Sequence, residues 1–526
     1  MIYRRIVLLF LALFVTQAAF AGSATWNLNP TSGEWSTDAN WTPATYPNSA
    51  TDTATFAQSS ITNISTPGAP SNLDGIVFTP DASAFTISLA DTNILLISGA
   101  GIINNSGKTQ QFNVPNFDCD FLNGATAGEN IQYVIKVSDT QAGGMVFFDS
   151  AGAGQASYFI EPSQNQFVGD GLILFAGDST ADRGTFTISG GAVNPTIGGV
   201  VTFLGNSTAG AATFNALGST LSGTSGGRVF FEESSNAGDA TLIAAGGSGG
   251  GAGGLISFER SARGTTGRVE VFGNGSLDIS GVGAKRGQVV IGSLEGSGNV
   301  FLGANQLSVG SNGLSTKFSG VLADSGGQTT GTGGSLAKVG SGKLFLRNAN
   351  FYTGGTTVES GILIVSNTEG SVTGSGPVQV NGGMLVGKGV IAGAVKVGTG
   401  SGTGAIFSPG FLGGKRRPGL LTIQGALSFS SDGTYQAQVN STTEMADEVS
   451  AFGVTIEPAA QFVFSDIGSG LLPQGTVFRI IDNTATNPIS GTFANLTDGQ
   501  TIIQSGNTYK ANYEGGDGND LTLTVQ

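Results

Sequence analysis

Few residues in this 526-residue chain have types and spacing suited to catalysis. The sequence has no histidine, which excludes Ser-His-Asp and Cys-His catalysis and every histidine-ligated metal site. In the run FDCDF, Asp118 and Asp120 would share one face of a strand, as an acid and a base do in a glycan-cleaving enzyme. The alternative is a solvated face with Cys119 turned inward. We favour that alternative, and we predict no catalytic residues and no enzymatic activity.

One short run resembles a metal site. Residues 515–523, GGDGNDLTL, loosely fit the calcium-binding nonapeptide GGxGxDxUx, but Thr522 stands where a large apolar residue belongs. Calcium sites of that kind are shared between successive repeats, and the run occurs once. We therefore predict a turn followed by a strand, with no metal and no cofactor.

Two further clusters could contact a partner. Trp26, Trp35 and Trp41 are the chain's three tryptophans, and exposed rings of this kind can stack on sugars. We favour the alternative that they cover the open hydrophobic end of a repeat array. Residues 413–419, GGKRRPG, suggest a solvated loop, with a protease-sensitive site or a contact for an anionic surface polymer as alternatives.

The first 21 residues have the layout of a secretory signal. A basic pair, Arg4 and Arg5, precedes an apolar run, and a small-x-small sequence ends at Ala21. Cleavage is expected between Ala21 and Gly22. No later stretch is apolar for long enough to span a bilayer as a helix. We therefore expect an exported protein with no transmembrane segment in its mature chain, located outside the cell or on its outer surface.

The composition suits a folded and acidic protein. Hydrophobic residues make up 39% of the chain, which is enough apolar material to build a core. A net charge of −14 argues against nucleic acid as a partner, because phosphates require a basic surface. Cys119 is the single cysteine, so no intrachain disulfide can form and stability must come from packing and backbone pairing.

Two signatures recur in one register. The pattern [GD]GxxxF is repeated at a nearly constant interval, and its copies begin at Gly143, Asp170, Gly198, Gly226 and Gly253. A second signature recurs at the same interval, as STAGAAT at Ser207 and SNAGDAT at Ser235, with weaker forms at Ser179 and Ser261. A fixed period of this size is typical of a solenoid.

A unit of this length cannot bury its own apolar face, so the units must stack. Short β-rich runs separated by Gly, Asn and Ser predict an all-β, right-handed parallel β-helix rather than a sandwich of hairpins. At about 27 residues per coil, the mature chain would form roughly 19 coils. The phenylalanines of the first signature would form one inward-facing ladder: Phe148, Phe175, Phe203, Phe231 and Phe258.

Residues 334–365, GSLAKVGSGKLFLRNANFYTGGTTVESGILIV, resemble the autotransporter-associated β-strand repeat of bacterial surface and secreted proteins. The resemblance is specific over residues 334–410. It implies a secreted β-helical stalk with no catalytic residues to carry over. Autotransporters end in a membrane barrel, and the C-terminal sequence lacks the series of alternating strands from which such a translocator barrel is built. Export by other machinery is the expectation.

These features predict five segments. Residues 1–21 form the signal peptide, 22–70 a Trp-rich cap, 71–292 the solenoid with the regular repeats, 293–430 the autotransporter-associated repeat region, and 431–526 an irregular β-rich cap. We expect a structural or adhesive surface protein whose partner is a surface polysaccharide or a host or neighbouring cell surface. The alternative is a β-helical polysaccharide-degrading enzyme or a carbohydrate-binding surface protein.

Overall fold

The computed structural model describes residues 22–66, 71–90, 94–115, 117–137, 142–162, 170–402, 404–410 and 418–526, with the side chains of residues 117 and 118 excepted. The predicted signal peptide, including Ala21, therefore lies outside the described residues, and Gly22 is the first of them. Within these ranges the regular structure is β-strand, apart from one short 3-10 turn at Asp38–Asn40.

The strands form four long sheets, which we name A to D. Sheet A begins at the N-terminal end and contains the phenylalanine signature. Its strands, in spatial order, are Trp41–Thr42, Ala24–Trp26, Thr53–Phe56, Asn72–Phe78, Leu95–Asn104, Phe117–Phe121, Gly144–Phe147, Leu172–Phe175, Val200–Phe203, Arg228–Phe231, Leu255–Phe258, Ser276–Asp278, Asn299–Phe301 and Val321–Ala323.

Sheet B runs beside sheet A and continues almost to the C-terminal end. Its parallel strands are Asn63–Thr66, Thr86–Leu89, Gln110–Val114, Glu129–Ile135, Gln155–Ile160, Thr185–Ile188, Thr213–Ala216, Thr241–Ala244, Arg268–Val271, Ser293–Gly296, Thr316–Phe318, Lys343–Leu346, Ile362–Val365, Gly383–Gly387, Ala405–Pro409, Gly433–Asn440 and Gln461–Asp466. One short strand, Met445–Ala446, adds antiparallel to Gly433–Asn440.

Sheets C and D form further sides of the later coils. Sheet C contains Gln288–Ile291, Gln306–Val309, Ser335–Lys338, Thr356–Val358, Val378–Val380, Val395–Val397, Leu427–Phe429 and Val454–Ile456. Sheet D contains Gly389–Ile391, Leu420–Ile423, Glu448–Ala451, Val477–Asn483, Asp520–Val525, Asn507–Gly515 and Thr501–Gln504, of which the last three are antiparallel.

Each strand pairs in parallel with its equivalent in a neighbouring coil, apart from the antiparallel strands Trp41–Thr42, Met445–Ala446 and the last three of sheet D. Val201 lies opposite Val229, for example, and Val229 lies opposite Ile256. The all-β parallel solenoid predicted from the repeats is therefore confirmed, with about 16 turns. The expected 19 coils were too many, because sheet B gains no strand among the described residues after Asp466 and the chain ends in three antiparallel strands of sheet D instead of further coils.

The predicted phenylalanine ladder exists, with one residue corrected. Phe175, Phe203, Phe231 and Phe258 are fully buried and stack nearly parallel, with ring centroids 4.7 to 4.8 Å apart. In the first repeat the ring that stacks on Phe175 belongs to Phe147, not to Phe148. The reason is register: Gly144 pairs with Leu172, so strand alternation turns Phe147 inward.

A second aromatic ladder, which we did not predict, runs along sheet B. Tyr133, Tyr158, Phe186 and Phe214 stack with centroids 4.4 to 5.1 Å apart. The rings of the two ladders meet edge to face, as in the pair Phe203 and Phe214 at 5.6 Å. The core of these coils is thus two aromatic columns in the T-shaped arrangement that aromatic quadrupoles favour.

The second signature forms the corner between sheets A and B. Ala209 and Ala212 are buried, and Gly210 between them has a φ of +59°. A Cβ at Gly210 would also lie 2.6 Å from the Asp182 carbonyl oxygen of the preceding coil. The Gly210 position needs a left-handed backbone, which glycine adopts most easily and which Asp182 adopts in the preceding copy with a φ of +48°. From the sequence, the last copy of this signature was predicted to begin at Ser261. The β-bridge between Asn236 and Arg263 shows that it begins one residue later.

Both ends of the stack are closed by the chain itself. At the N-terminal end, Trp35 donates a backbone hydrogen bond to the Ser65 carbonyl, and Ser65 donates to the Gly33 carbonyl, both at 2.8 Å. At the C-terminal end, the Asn495 side-chain amide exchanges two 2.8 Å hydrogen bonds with the Phe462 backbone. These contacts pair strand edges that would otherwise be open.

Parallel pairing extends into both predicted cap segments. Ala24–Trp26 already pairs with Thr53–Phe56, and pairing in sheet B continues to Gln461–Asp466. The segment boundaries proposed from the sequence stay predictions.

The ladder gives a direct test of packing. Phe203→Ala and Phe231→Ala should each lower the free energy of unfolding by about 3 to 5 kcal/mol, because each removes a fully buried ring. The double variant should depart from additivity, because the two rings stack. Urea denaturation of the purified variants measures both effects.

The control for this test is Phe230→Ala, which truncates a partly exposed ring on the outer face of the same strand. Phe230→Ala should lower the free energy of unfolding by clearly less than Phe203→Ala or Phe231→Ala does. Equal costs at Phe230 and Phe231 would contradict the assigned register.

Candidate functional site

The tryptophan cluster is buried. Trp26, Trp35 and Trp41 each have at most 1% of their surface exposed, and they pack on Phe56. Their indole N–H groups donate to backbone carbonyls of Ile61, Pro47 and Trp35 respectively. No ring face is open for a sugar, so the geometry favours the cap over the carbohydrate contact considered from the sequence.

The predicted carboxylate pair is only partly described. The Asp118 side chain lies outside the described side chains. Asp120 accepts a 3.1 Å hydrogen bond from the Val146 backbone N–H of the next coil. Burial raises the pKa of Asp120 to about 7, although that hydrogen bond lowers it. Whether the pair acts as an acid and a base stays an untested interpretation.

A charged pair that sequence reasoning missed lies on the outer face of sheet A. Asp170 and Arg228 approach within 3.5 Å, and both side chains are largely buried. The Arg228 guanidinium also lies 5.7 Å from the Phe230 ring centroid. Burial raises the pKa of Asp170 to about 6 and lowers the pKa of Arg228. The pair is 58 residues apart in sequence, so only knowledge of the coil register could have found it.

The segment 324–334 crosses the later part of this face. The Gln328 backbone N–H donates to the Asp278 carboxylate at 2.7 Å, and its side-chain amide donates to Ser257 at 3.2 Å. Gly327 lets the segment approach, because a Cβ there would lie 2.5 Å from the Asp278 carboxylate. The outer face of sheet A is thus covered over the Ser257 and Asp278 coils.

The run GGDGND forms the end of a hairpin. Asn507–Gly515 pairs antiparallel with Asp520–Val525, which confirms the predicted turn and strand. Asp520 is buried and accepts a 2.9 Å hydrogen bond from the Asn483 backbone N–H, with the Arg479 guanidinium 3.8 Å away. Among the described residues, no group of three or more Cys, Asp or Glu side chains is placed to hold a metal ion.

The segment 334–365 contains a buried lysine. Lys338 is 1% exposed, and its ammonium donates to the carbonyls of Gly340 and Ser360 at 2.9 and 3.2 Å. Burial lowers the pKa of Lys338 to about 8. The lysine thereby ties two successive coils together at a corner. The basic residues of GGKRRPG, 415–417, lie outside the described residues.

One of three comparisons with known proteins supports the repeat. A family model, the Passenger-associated-transport-repeat, matches residues 336–365. A structural search finds the Hap adhesin of Haemophilus influenzae with 12% identity and a TM-score of 0.27, covering 91% of this chain and 59% of that one. This chain thus spans less than two thirds of the adhesin's length. A search of curated proteins finds no match. The chain therefore carries an autotransporter-passenger-type repeat on a parallel β-solenoid.

A search for membrane spans gives a separate result. Among the described residues, no helix is long and apolar enough to cross a bilayer.

Another buried carboxylate is Asp447, beside the hairpin that Met445–Ala446 forms with sheet B. It is 1% exposed and accepts backbone hydrogen bonds from Gly419 at 3.0 Å and Gln438 at 2.9 Å. Burial raises its pKa to about 7, against the lowering effect of these hydrogen bonds.

These carboxyls predict a pH dependence of stability. The pKa of Asp447 is about 7 in the folded protein and 3.8 in the absence of structure, so folding favours the protonated carboxyl. The resulting stabilisation of the folded state is complete below pH 3.8. It is lost as the pH rises towards about 7, by at most about 1.4 kcal/mol per pH unit. The melting temperature should therefore fall between pH 5 and pH 7, and Asp447→Asn should flatten this slope.

The control is the exposed Glu369→Gln, which should leave the slope unchanged. Differential scanning calorimetry across the pH series provides the measurement. A slope that is the same in native protein and in the Asp447→Asn variant would contradict the assignment.

Proposed function

We propose that this protein is a secreted or cell-surface β-solenoid with a structural and adhesive role and without catalytic activity. The observation that carries the proposal is the unbroken parallel pairing of sheet B from Asn63–Thr66 to Gln461–Asp466. Such a stack holds side chains at fixed intervals along an extended outer surface, which suits contact with a large partner. The match of residues 336–365 to a passenger repeat supports export to the cell surface.

The arrangement of charged groups supports a binding role over hydrolysis. In the inverting and retaining glycosidase mechanisms, one carboxyl donates a proton while a second acts on the opposite side of the bond. Asp170 is bound to Arg228, and Asp520 lies beside Arg479 and accepts a backbone hydrogen bond. The alternative, a polysaccharide-degrading enzyme, keeps as its candidates the Asp118 and Asp120 pair and Asp170, which lies beside Arg228 from another coil.

Two measurements test the proposal together. Expressing cells are fractionated, and the protein is followed by antibody in medium, outer surface, periplasm and cytoplasm. Recovery from the medium or the outer surface, with adhesion lost on deletion of the gene, is the expected result. Retention in the cytoplasm would overturn it.

The second measurement addresses catalysis. Purified protein is incubated with neutral and acidic polysaccharides, and released reducing ends are counted. No release above the blank is expected. Release that disappears in Asp170→Asn would establish the enzymatic alternative instead.

A further inference from the structure

Charge is distributed unevenly along the solenoid. Residues 296–431 contain nine Lys and Arg against three Asp and Glu, although the whole chain carries a net charge of −14. The flanking segments are acidic, with nine basic and 22 acidic residues in 22–295, and two basic and 11 acidic residues in 432–526. Because coils stack in sequence order, these segments become successive bands along the axis. Residues 415–417 lie outside the described residues, but the six described basic residues against three acidic ones still make these coils a basic band between two acidic ones.

Part of the basic band lies on one face. In the strand Lys343–Leu346, Leu344 and Leu346 are buried, so alternation turns Lys343 and Phe345 to the outer face of sheet B. Phe345 is partly exposed, and the next residue after the strand, Arg347, is exposed. The strand thus presents an aromatic ring with a basic residue on each side of it.

The preceding coil adds a third cation. Lys317 is exposed and lies opposite Phe345 in the parallel register, at the strand spacing of about 4.8 Å. In the following coil, Phe345 lies opposite Ile364. Ile364 is only 2% exposed, so the exposed part of the outer face here combines one ring and three cations. We name Lys317, Lys343, Phe345 and Arg347 the basic aromatic face.

Acidic neighbours do not neutralise this face. The register places Glu295 one coil before Lys317, but Glu295 already holds Arg268 through two hydrogen bonds of 2.7 and 3.0 Å. Among the described residues, no carboxylate lies within 4 Å of the charged groups of Lys317, Lys343 or Arg347. Their charges are thus available to an external anion.

We propose that the basic aromatic face binds an acidic polysaccharide, whose sugar ring packs on Phe345 while its carboxylate or sulfate groups pair with Lys317, Lys343 and Arg347. An extended polymer lying along the solenoid axis meets cations on successive coils, whereas a compact anion would meet only one coil. The aromatic ring favours a sugar polymer over a plain polyanion, because its apolar face has no complement in the latter. This inference deepens the proposed function and rests on it for the polymer's access to the protein.

The experiment uses the full mature chain and three immobilised polymers in biolayer interferometry. Polygalacturonate is the acidic polysaccharide, dextran the neutral one, and polyglutamate the polyanion without a sugar ring. Binding to polygalacturonate that weakens with added salt, and no binding to dextran, is expected. Polyglutamate binding as tight as polygalacturonate binding would overturn the role of the sugar ring.

Two variants locate the site. Replacing Lys317, Lys343 and Arg347 together by Gln should weaken polygalacturonate binding about tenfold or more. Phe345→Ala should weaken it about fivefold while its salt dependence stays the same. Circular dichroism melting of each variant shows whether the fold is kept.

The control variant replaces Arg183, Lys285 and Lys510 by Gln, which removes the same three charges from exposed positions in the acidic bands. It should bind within about twofold of the native protein, since exposed charges this far away are screened. An equal loss in control and site variants, or no polygalacturonate binding by the native chain, would overturn the inference. If this inference fails but the protein is found on the cell surface, the proposed function still holds. If the protein is retained in the cytoplasm, the proposed function itself is overturned.

Discussion

Parallel backbone pairing between successive coils is the constraint on which the rest of this structure depends. No coil can satisfy its own strand hydrogen bonds, so each requires the coil before it and the coil after it. Identical positions then lie about 4.8 Å apart, which is why like residues stack on like. The 4.7 Å separation of the Phe175 and Phe203 rings is a consequence of that single spacing.

The same constraint decides where function can lie. The interior is filled by the two aromatic columns and, in later coils, by aliphatic side chains and a further aromatic cluster that includes Phe407, Phe429 and Tyr435, so chemistry is confined to the outer faces and corners. On those faces a short sequence motif supplies only part of a site, because the neighbours across the strand are separated from it by a whole coil in sequence. Two pairs bring together residues from different coils: Asp170 with Arg228, and Lys317 with Phe345. A surface of repeated contacts suits adhesion better than it suits a single reaction.

How much the sequence could reveal follows from this geometry. The fixed period of the two signatures was sufficient to predict the solenoid and the stacking from Phe175 to Phe258. The pattern wrongly assigned the first ring of the ladder to Phe148. The register at Gly144 is shifted by one residue, and the sequence pattern gives no sign of that shift. The second ladder was missed although Tyr158, Phe186 and Phe214 recur at a constant interval, since its members are not all the same residue type. The buried tryptophans show that aromatic clustering alone cannot distinguish a cap from a binding surface.

Small-angle X-ray scattering from the mature protein tests the central claim, the stacked solenoid, most directly. About 16 turns at about 4.8 Å give a stack of roughly 80 Å, to which the end caps add. The account predicts an elongated particle with a maximum dimension of at least about 80 Å. A compact fold of the same length would have a radius of gyration of about 24 Å and a diameter of about 60 Å, and that result would contradict the solenoid.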